Sequence, residues 1–189
     1  MRQQLIEELI DYKAFNEQEL KDKELMIQLL KEESDIFLRS NLSHHFTASA
    51  WVVNERKDKV LMAYHNLYDS WAWLGGHADG EEDLLHVALK EVQEESGLTH
   101  IKAISPSIFS IEILVVEGHM KKGSYVSSHL HLNVTYLIEA SETEELQIKE
   151  DENSELKWFS LEEGIKASSE PWIRDHIYQK LNEKLAYLS

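Results

Sequence analysis

Glu91, Glu94 and Glu95 lie within one short stretch, and each carries a carboxylate able to hold a hard cation or accept a proton. They follow the run Gly75-Gly76-His77-Ala78-Asp79-Gly80-Glu81-Glu82 and precede Gly97-Leu98. The whole stretch reads as a glycine-rich loop feeding a helix, with Gly97 closing it as a residue that can take the left-handed conformation. On a helical wheel Leu84, Leu85, Ala88 and Val92 form the buried stripe, Glu91 and Glu95 sit on its edge, and Glu94 lies just beyond Glu91. Carboxylates three or four positions apart on a helix are about 5–6 Å from one another, so each ionised pair repels by roughly 3 kcal/mol at an effective dielectric near 20. Protonation relieves that repulsion, and so does a hard divalent cation. A solvated acidic face has the same composition; the glycine-rich loop and the closing glycine are what favour chemistry here.

Those residues carry a resemblance. Gly76, Glu82, Glu91, Val92, Glu94, Glu95, Gly97 and Leu98 match the Nudix box, G-x5-E-x7-R-E-U-x-E-E-x-G-U with U aliphatic, and Lys90 stands where the family has Arg. The resemblance implies an α/β Nudix fold, a mixed sheet packed between helices, and metal-dependent hydrolysis of a nucleoside diphosphate linked to another moiety. It implies Mg2+ or Mn2+ held by Glu91, Glu94, Glu95 and the carbonyl of Gly76. It also implies catalytic roles for Glu91, Glu94 and Glu152, the base being either Glu91 or an acid of the segment 151–155, among which Glu152 fits the family's late loop. A planar guanidinium can grip a neighbouring glutamate in bidentate fashion and the Lys90 ammonium cannot. A non-catalytic nucleotide-binding sensor or partner module is therefore the alternative reading.

Substrate contacts are expected from outside the box. Along 128–136 a two-residue alternation separates Leu130, Leu132, Val134 and Tyr136 from His129, His131, Asn133 and Thr135, and the polar set must face water or a cleft. His129, His131 and Asn133 are candidate substrate-binding residues, joined by Trp73 and His77 on either side of the glycine pair. Histidines gather at His44-His45 and at His129 and His131; they read as hydrogen-bonding residues before they read as a zinc site. Lys121 and Lys122, between Gly118 and Gly123, are a basic pair at a hairpin tip, suited to solvent or to a phosphate.

The elements that position these groups are legible from pattern. Residues 1–41 read as a charged helical extension, with Leu5, Ile6, Leu9 and Ile10 on one short face and Leu20, Met26, Ile27, Leu29 and Leu30 on a second helix opened by Asn16 and Glu19, packing on the domain or on a second copy of the chain, a homodimer. Residues 42–189 read as the Nudix domain with a C-terminal helix: a hairpin from Phe46–Val53 and Lys59–Tyr64, strands near 101–104, 108–116 and 128–140, a capping box at Ser160 and Glu163, and a last helix after Pro171 with Ile173, Ile177, Leu181 and Leu185 on one face.

Composition narrows the partners. Of 189 residues none is Cys, so disulfides, thiolate zinc sites and cysteine nucleophiles are excluded, and a reducing cytoplasm suits the chain. A net charge of −16 argues against a nucleic acid polymer, whose phosphates need clustered Lys and Arg, but not against a small phosphorylated substrate bridged through a cation. No apolar run approaches a membrane span, and Met1-Arg2-Gln3-Gln4 leads into a charged helix, not a signal peptide, so a cytoplasmic, membrane-free location is expected.

Overall fold

The computed structural model describes residues 1–121, 123–148 and 153–188. Helices α1 (Arg2–Asp11) and α2 (Glu17–Glu32) precede the first strand, and the sheet is built around two long parallel neighbours, β1 (His44–Val53) and β9 (His129–Ala140). They stay in register from His44↔Leu130 to Val53↔Glu139. The free edge of β1 is shared between β2 (Lys59–His65) and β4 (Leu74–His77), and that of β9 between β5 (Ile101–Ala103) and β6 (Ser110–Val116), all antiparallel. Outside β2 lie β3 (Ser70–Ala72) and β10 (Asn153–Ser160). A small separate hairpin, β7 (His119–Lys121) and β8 (Ser124–Val126), follows β6.

Both faces of β1 are covered, so the strand reads as an almost unbroken run of apolar and small residues. On one face Phe46, Ala48, Ala50 and Val52 join Leu132, Val134, Tyr136 and Ile138 beneath α3 (Leu84–Ser96). Leu5, Ile6 and Leu9 of α1 and Met26 and Leu30 of α2 enter this same core, so the N-terminal helices pack on the sheet. Burying a side chain of that size contributes about 1.5–3 kcal/mol. Ile10 and Leu20, expected on these apolar faces, are exposed. On the opposite face Trp51, Val53 and Leu137 pack against Ile177, Tyr178, Leu181 and Leu185.

The C-terminal helix is not uniform. After α4 (Leu161–Ala167), capped reciprocally by Ser160 and Glu163, a π-helical turn at Ile173–Tyr178 runs into α5 (Gln179–Ala186). Ile177 and Tyr178, at the end of this turn, are both buried against the sheet. No helix among the described residues is long and apolar enough to cross a membrane.

Candidate functional site

The glycine pair and α3 form one unit. Asp83 caps α3 by accepting from the His86 backbone N–H at 3.0 Å, and Gly97 ends it with φ of 72°. The buried stripe is Leu84, Val87, Ala88 and Val92, with Leu85 only half-buried. Glu95, expected on the stripe's edge, lies inside it: its Oε1 accepts from the Gly75 N–H at 3.1 Å and its Oε2 from Asn153 Nδ2 at 3.1 Å. Asn153 opens β10, so the late segment does reach the box, through an amide that sequence reasoning did not single out. Glu152, its neighbour, lies outside the described residues, as does Lys122.

The two glycines answer to different neighbours. A Cβ on Gly75 would meet the Ala48 carbonyl oxygen at 2.5 Å and the Ser49 Cα at 2.7 Å, both backbone atoms of the paired strand. A Cβ on Gly76 would instead meet the Glu91 carboxyl carbon at 2.5 Å and its oxygens at 2.6 and 2.9 Å. Gly75 is therefore required by strand pairing, while Gly76 makes room for a carboxylate. Glu91 is half-buried; Glu94 is exposed, with its Oε1 3.5 Å from Lys90 Nζ one helical turn back. The donors at this spot, Glu91, Glu94, Glu95 and the Gly76 carbonyl, are all oxygen, the set a hard divalent ion prefers. The three carboxylates do not converge on one point. Glu95 turns inward to the Gly75 amide and Glu94 outward to Lys90, which keeps like charges apart.

The remaining candidates lie on the face of the sheet opposite α3. Because His131 pairs with His45 and His77 pairs with Thr47, two residues along from His45, three adjacent strands bring His45, His77 and His131 together. One ring nitrogen from each lies within 4.8 Å of the others, and among the described residues no other group of three or more histidine or acidic side chains gathers this closely. His129 borders the group, its Nε2 3.1 Å from that of His131 and its ring 5.1 Å from that of His45. Burial, with the Arg39 charge next in weight, pushes His77 down to about 3, and burial, with His77 next, pushes His131 down to about 2. His45 is also lowered, again chiefly by burial. These imidazoles are neutral at physiological pH. Sequence reading named His77, His129 and His131 as substrate-binding candidates and noted His45 only in the gathering with His44, His129 and His131; what brings His45 to His77 and His131 is strand register.

Asn133, two residues past His131, lies under the C-terminal helix. Its Oδ1 accepts from Thr47 Oγ1 and Ser49 Oγ, each at 2.9 Å, and its Nδ2 donates to Glu112 Oε2 at 3.0 Å and Thr135 Oγ1 at 3.1 Å. All four of its hydrogen-bonding capacities are used within the protein. Glu112 in turn accepts from Lys180 Nζ at 3.0 Å, and Lys180 lies 3.2 Å from Glu19, which also accepts from Lys184 at 2.7 Å. Asn133 and Thr135 thus face neither water nor an open cleft but a buried network of two acids and two lysines. Trp73 belongs to the second core: its backbone N–H donates to Tyr178 Oη at 3.1 Å, and its ring meets that of Tyr178 edge-on at 5.4 Å.

Residues 43–181 match the family model of the NUDIX domain. A protein of Lactococcus lactis subsp. cremoris named "Probable DHNTP pyrophosphohydrolase" is 27% identical over 137 residues, which span 72% of this chain and 76% of that protein. Among solved structures, a NUDIX-family hydrolase from Clostridium perfringens aligns with a TM-score of 0.52 at 25% identity, over 77% of this chain and 98% of that one. An Ap4A hydrolase from C. elegans aligns with a TM-score of 0.52 at 18% identity, over 76% and 96% respectively, a level that shows a shared fold.

Proposed function

The chain belongs to the NUDIX family of hydrolases, and from that premise we propose that it cleaves a phosphoanhydride bond in a nucleotide-type diphosphate, with dihydroneopterin triphosphate as the first substrate to test. The substrate choice is supported by the relative from Lactococcus lactis, which matches most of both chains. The observation that carries the reading is the fit of the Glu91 carboxylate against Gly76, where only a hydrogen leaves it space. A glycine kept free for a carboxylate and not for a turn serves a site.

Glu91, Glu94, Glu95 and the Gly76 carbonyl would hold Mg2+ or Mn2+, which when bound neutralises phosphate oxygens and acidifies water. The chain's own groups divide the remaining work. Glu95 is fixed by the Gly75 amide and Asn153, so it anchors α3 to the glycine pair and sets where Glu91 and Glu94 stand. In this reading Glu91, half-buried beside Gly76, takes the proton from the attacking water. Glu94 is the exposed member and is free to turn from Lys90 toward substrate and cation.

The test is release of pyrophosphate or phosphate from dihydroneopterin triphosphate and dNTPs, and release of mononucleotide from ADP-ribose and dinucleoside polyphosphates, with Mg2+ or Mn2+. Glu91→Gln should lower kcat by about 100-fold or more, the range of a lost general base. Gly76→Ala should lower it as well while leaving Tm unchanged, because the added methyl displaces a flexible carboxylate and no backbone. Full activity in both variants, or no release from any substrate by the unaltered chain, overturns the reading.

A further inference from the structure

We propose that His45, His77 and His131 form a binding site for a transition-metal ion of the Zn2+ class, separate from the carboxylate site of the box. Three imidazoles contributed by three neighbouring strands, with ring nitrogens within 4.8 Å of one another, are a borderline-soft donor set that suits Zn2+, Co2+ or Ni2+ and not Mg2+. In a tetrahedral zinc site ligand nitrogens stand about 3.3 Å apart, given bonds of about 2.0–2.1 Å. Binding would draw the three ring nitrogens together by up to about 1.5 Å.

The second observation is a nitrogen with nothing to bond. His45 is 4% exposed, its Nε2 is buried, and no hydrogen-bond partner meets it among the described residues. Its other nitrogen, Nδ1, is 3.0 Å from the Asn41 carbonyl oxygen, an acceptor only. Nδ1 therefore carries the proton and Nε2 presents a lone pair to the cluster, the arrangement by which an outer carbonyl fixes the tautomer of a metal-binding histidine. His129 repeats the pattern at the border, with Nδ1 2.8 Å from the Ser127 carbonyl and Nε2 turned to His131. Leaving a buried ring nitrogen unpaired is unfavourable. A bound ion removes that cost.

The surrounding charge does not oppose a cation as strongly as Arg39 alone would, because Arg39 is held by both carboxylate oxygens of Asp79, at 2.6 Å for Nε and through a second contact from Nη2. Side chains alternate along β4, so His77 points away from the face where Gly76 meets Glu91, and the two sites occupy opposite faces of the same short strand. Three protein ligands leave a fourth position for water or an anionic oxygen.

The test titrates Co2+, read by its visible absorption, and Zn2+, read by calorimetry, into the full chain after treatment with chelator. One ion per chain should bind with the absorption of a low-coordinate imidazole site. Binding should persist in the double variant Glu91→Gln/Glu94→Gln and weaken by at least about 100-fold in His45→Ala and in His131→Ala, the upper end of what even an outer-shell loss costs. In the unaltered chain, the ring-nitrogen resonances of His45, His77 and His131 should shift with the first equivalent of Zn2+, a readout independent of whether the variants fold. Absence of saturable binding, binding lost with the box glutamates, binding unchanged in the histidine variants, or shifts confined to other histidines each overturns the proposal. Failure of the hydrolysis screen leaves it standing, since metal binding is measured without turnover.

Discussion

Along one face of β1 and β9 two polar clusters lie end to end, and they satisfy their atoms in opposite ways. At the start of the strands His45 and His131 stand with His77, and a buried His45 nitrogen has no partner among the described residues. One step further, Thr47, Ser49, Asn133 and Thr135 join Glu112, Glu19, Lys180 and Lys184, and every capacity of Asn133 is used. Beyond that, Trp51 and Leu137 make the face apolar. Charges in the second cluster are matched two against two, so it can remain dry. The histidine cluster is neutral and short of donors, which suits a group arriving from outside. A buried polar cluster that closes on itself supports the fold, whereas one left open toward a lone pair is built for a ligand.

The largest effect should come from unbalancing the closed cluster. Lys180→Met keeps the length of the side chain but leaves Glu112, which is fully buried, and Glu19 with one cation fewer. Removing one partner of a buried ion pair costs about 3–5 kcal/mol, and urea denaturation should show a loss of that size. Adding Glu112→Gln should recover part of it. A loss below 1 kcal/mol would mean that the cluster is wetter than its burial indicates. Next is Asn133→Ala, which strips partners from Thr47, Ser49 and Glu112 and should cost about 1–3 kcal/mol by the same measurement.

Acid probes the same contrast more gently. Burial alone would raise the Glu19 carboxyl, but Lys180 and Lys184 hold it below the usual carboxylate range. A depressed carboxyl adds stability that is full above its unfolded pKa, near 4.5, and is lost as pH falls through the folded value. The stability difference between the chain and Glu19→Gln should therefore be constant near neutrality and shrink below about pH 4.5, by up to about 1.4 kcal/mol per pH unit for one proton. A difference independent of pH down to 3 would show that Glu19 is not held ionised by the lysines.

How much of this was legible beforehand depends on how local each cause is. The loop and α3, the αL Gly97, the capping box at Ser160 and Glu163, and the alternation of Leu132 and Val134 against His131 and Asn133 are set by neighbours a few residues apart, so sequence pattern reveals them. Glu95 was expected at the helix edge and is buried, because the Gly75 amide and Asn153, distant in sequence, compensate its charge. The trio of histidines needs two strand registers at once, and the Glu112–Lys180 pair joins residues 68 positions apart. Neither has a local signature. The π turn also escaped, since Ile173, Ile177, Leu181 and Leu185 alone fit a regular helix.

The smallest expected effect is the most discriminating. His77→Leu removes a ring for which no hydrogen bond is found among the described residues, and it replaces one half-buried side chain with another of similar bulk. Replacing a polar group that has no partner is close to neutral, so stability without added metal should change by no more than about 0.5 kcal/mol, against several for Lys180→Met. With Zn2+ present the two chains should separate. A site that binds only the folded state adds about 2.7 kcal/mol when the free ion exceeds its dissociation constant 100-fold, so Zn2+ should raise the Tm of the unaltered chain and leave that of His77→Leu nearly where it was. If His77→Leu instead costs as much as Lys180→Met in the absence of metal, the histidines are as closed a structural cluster as the lysines and acids beside them, and the contrast between the two ends of the face disappears.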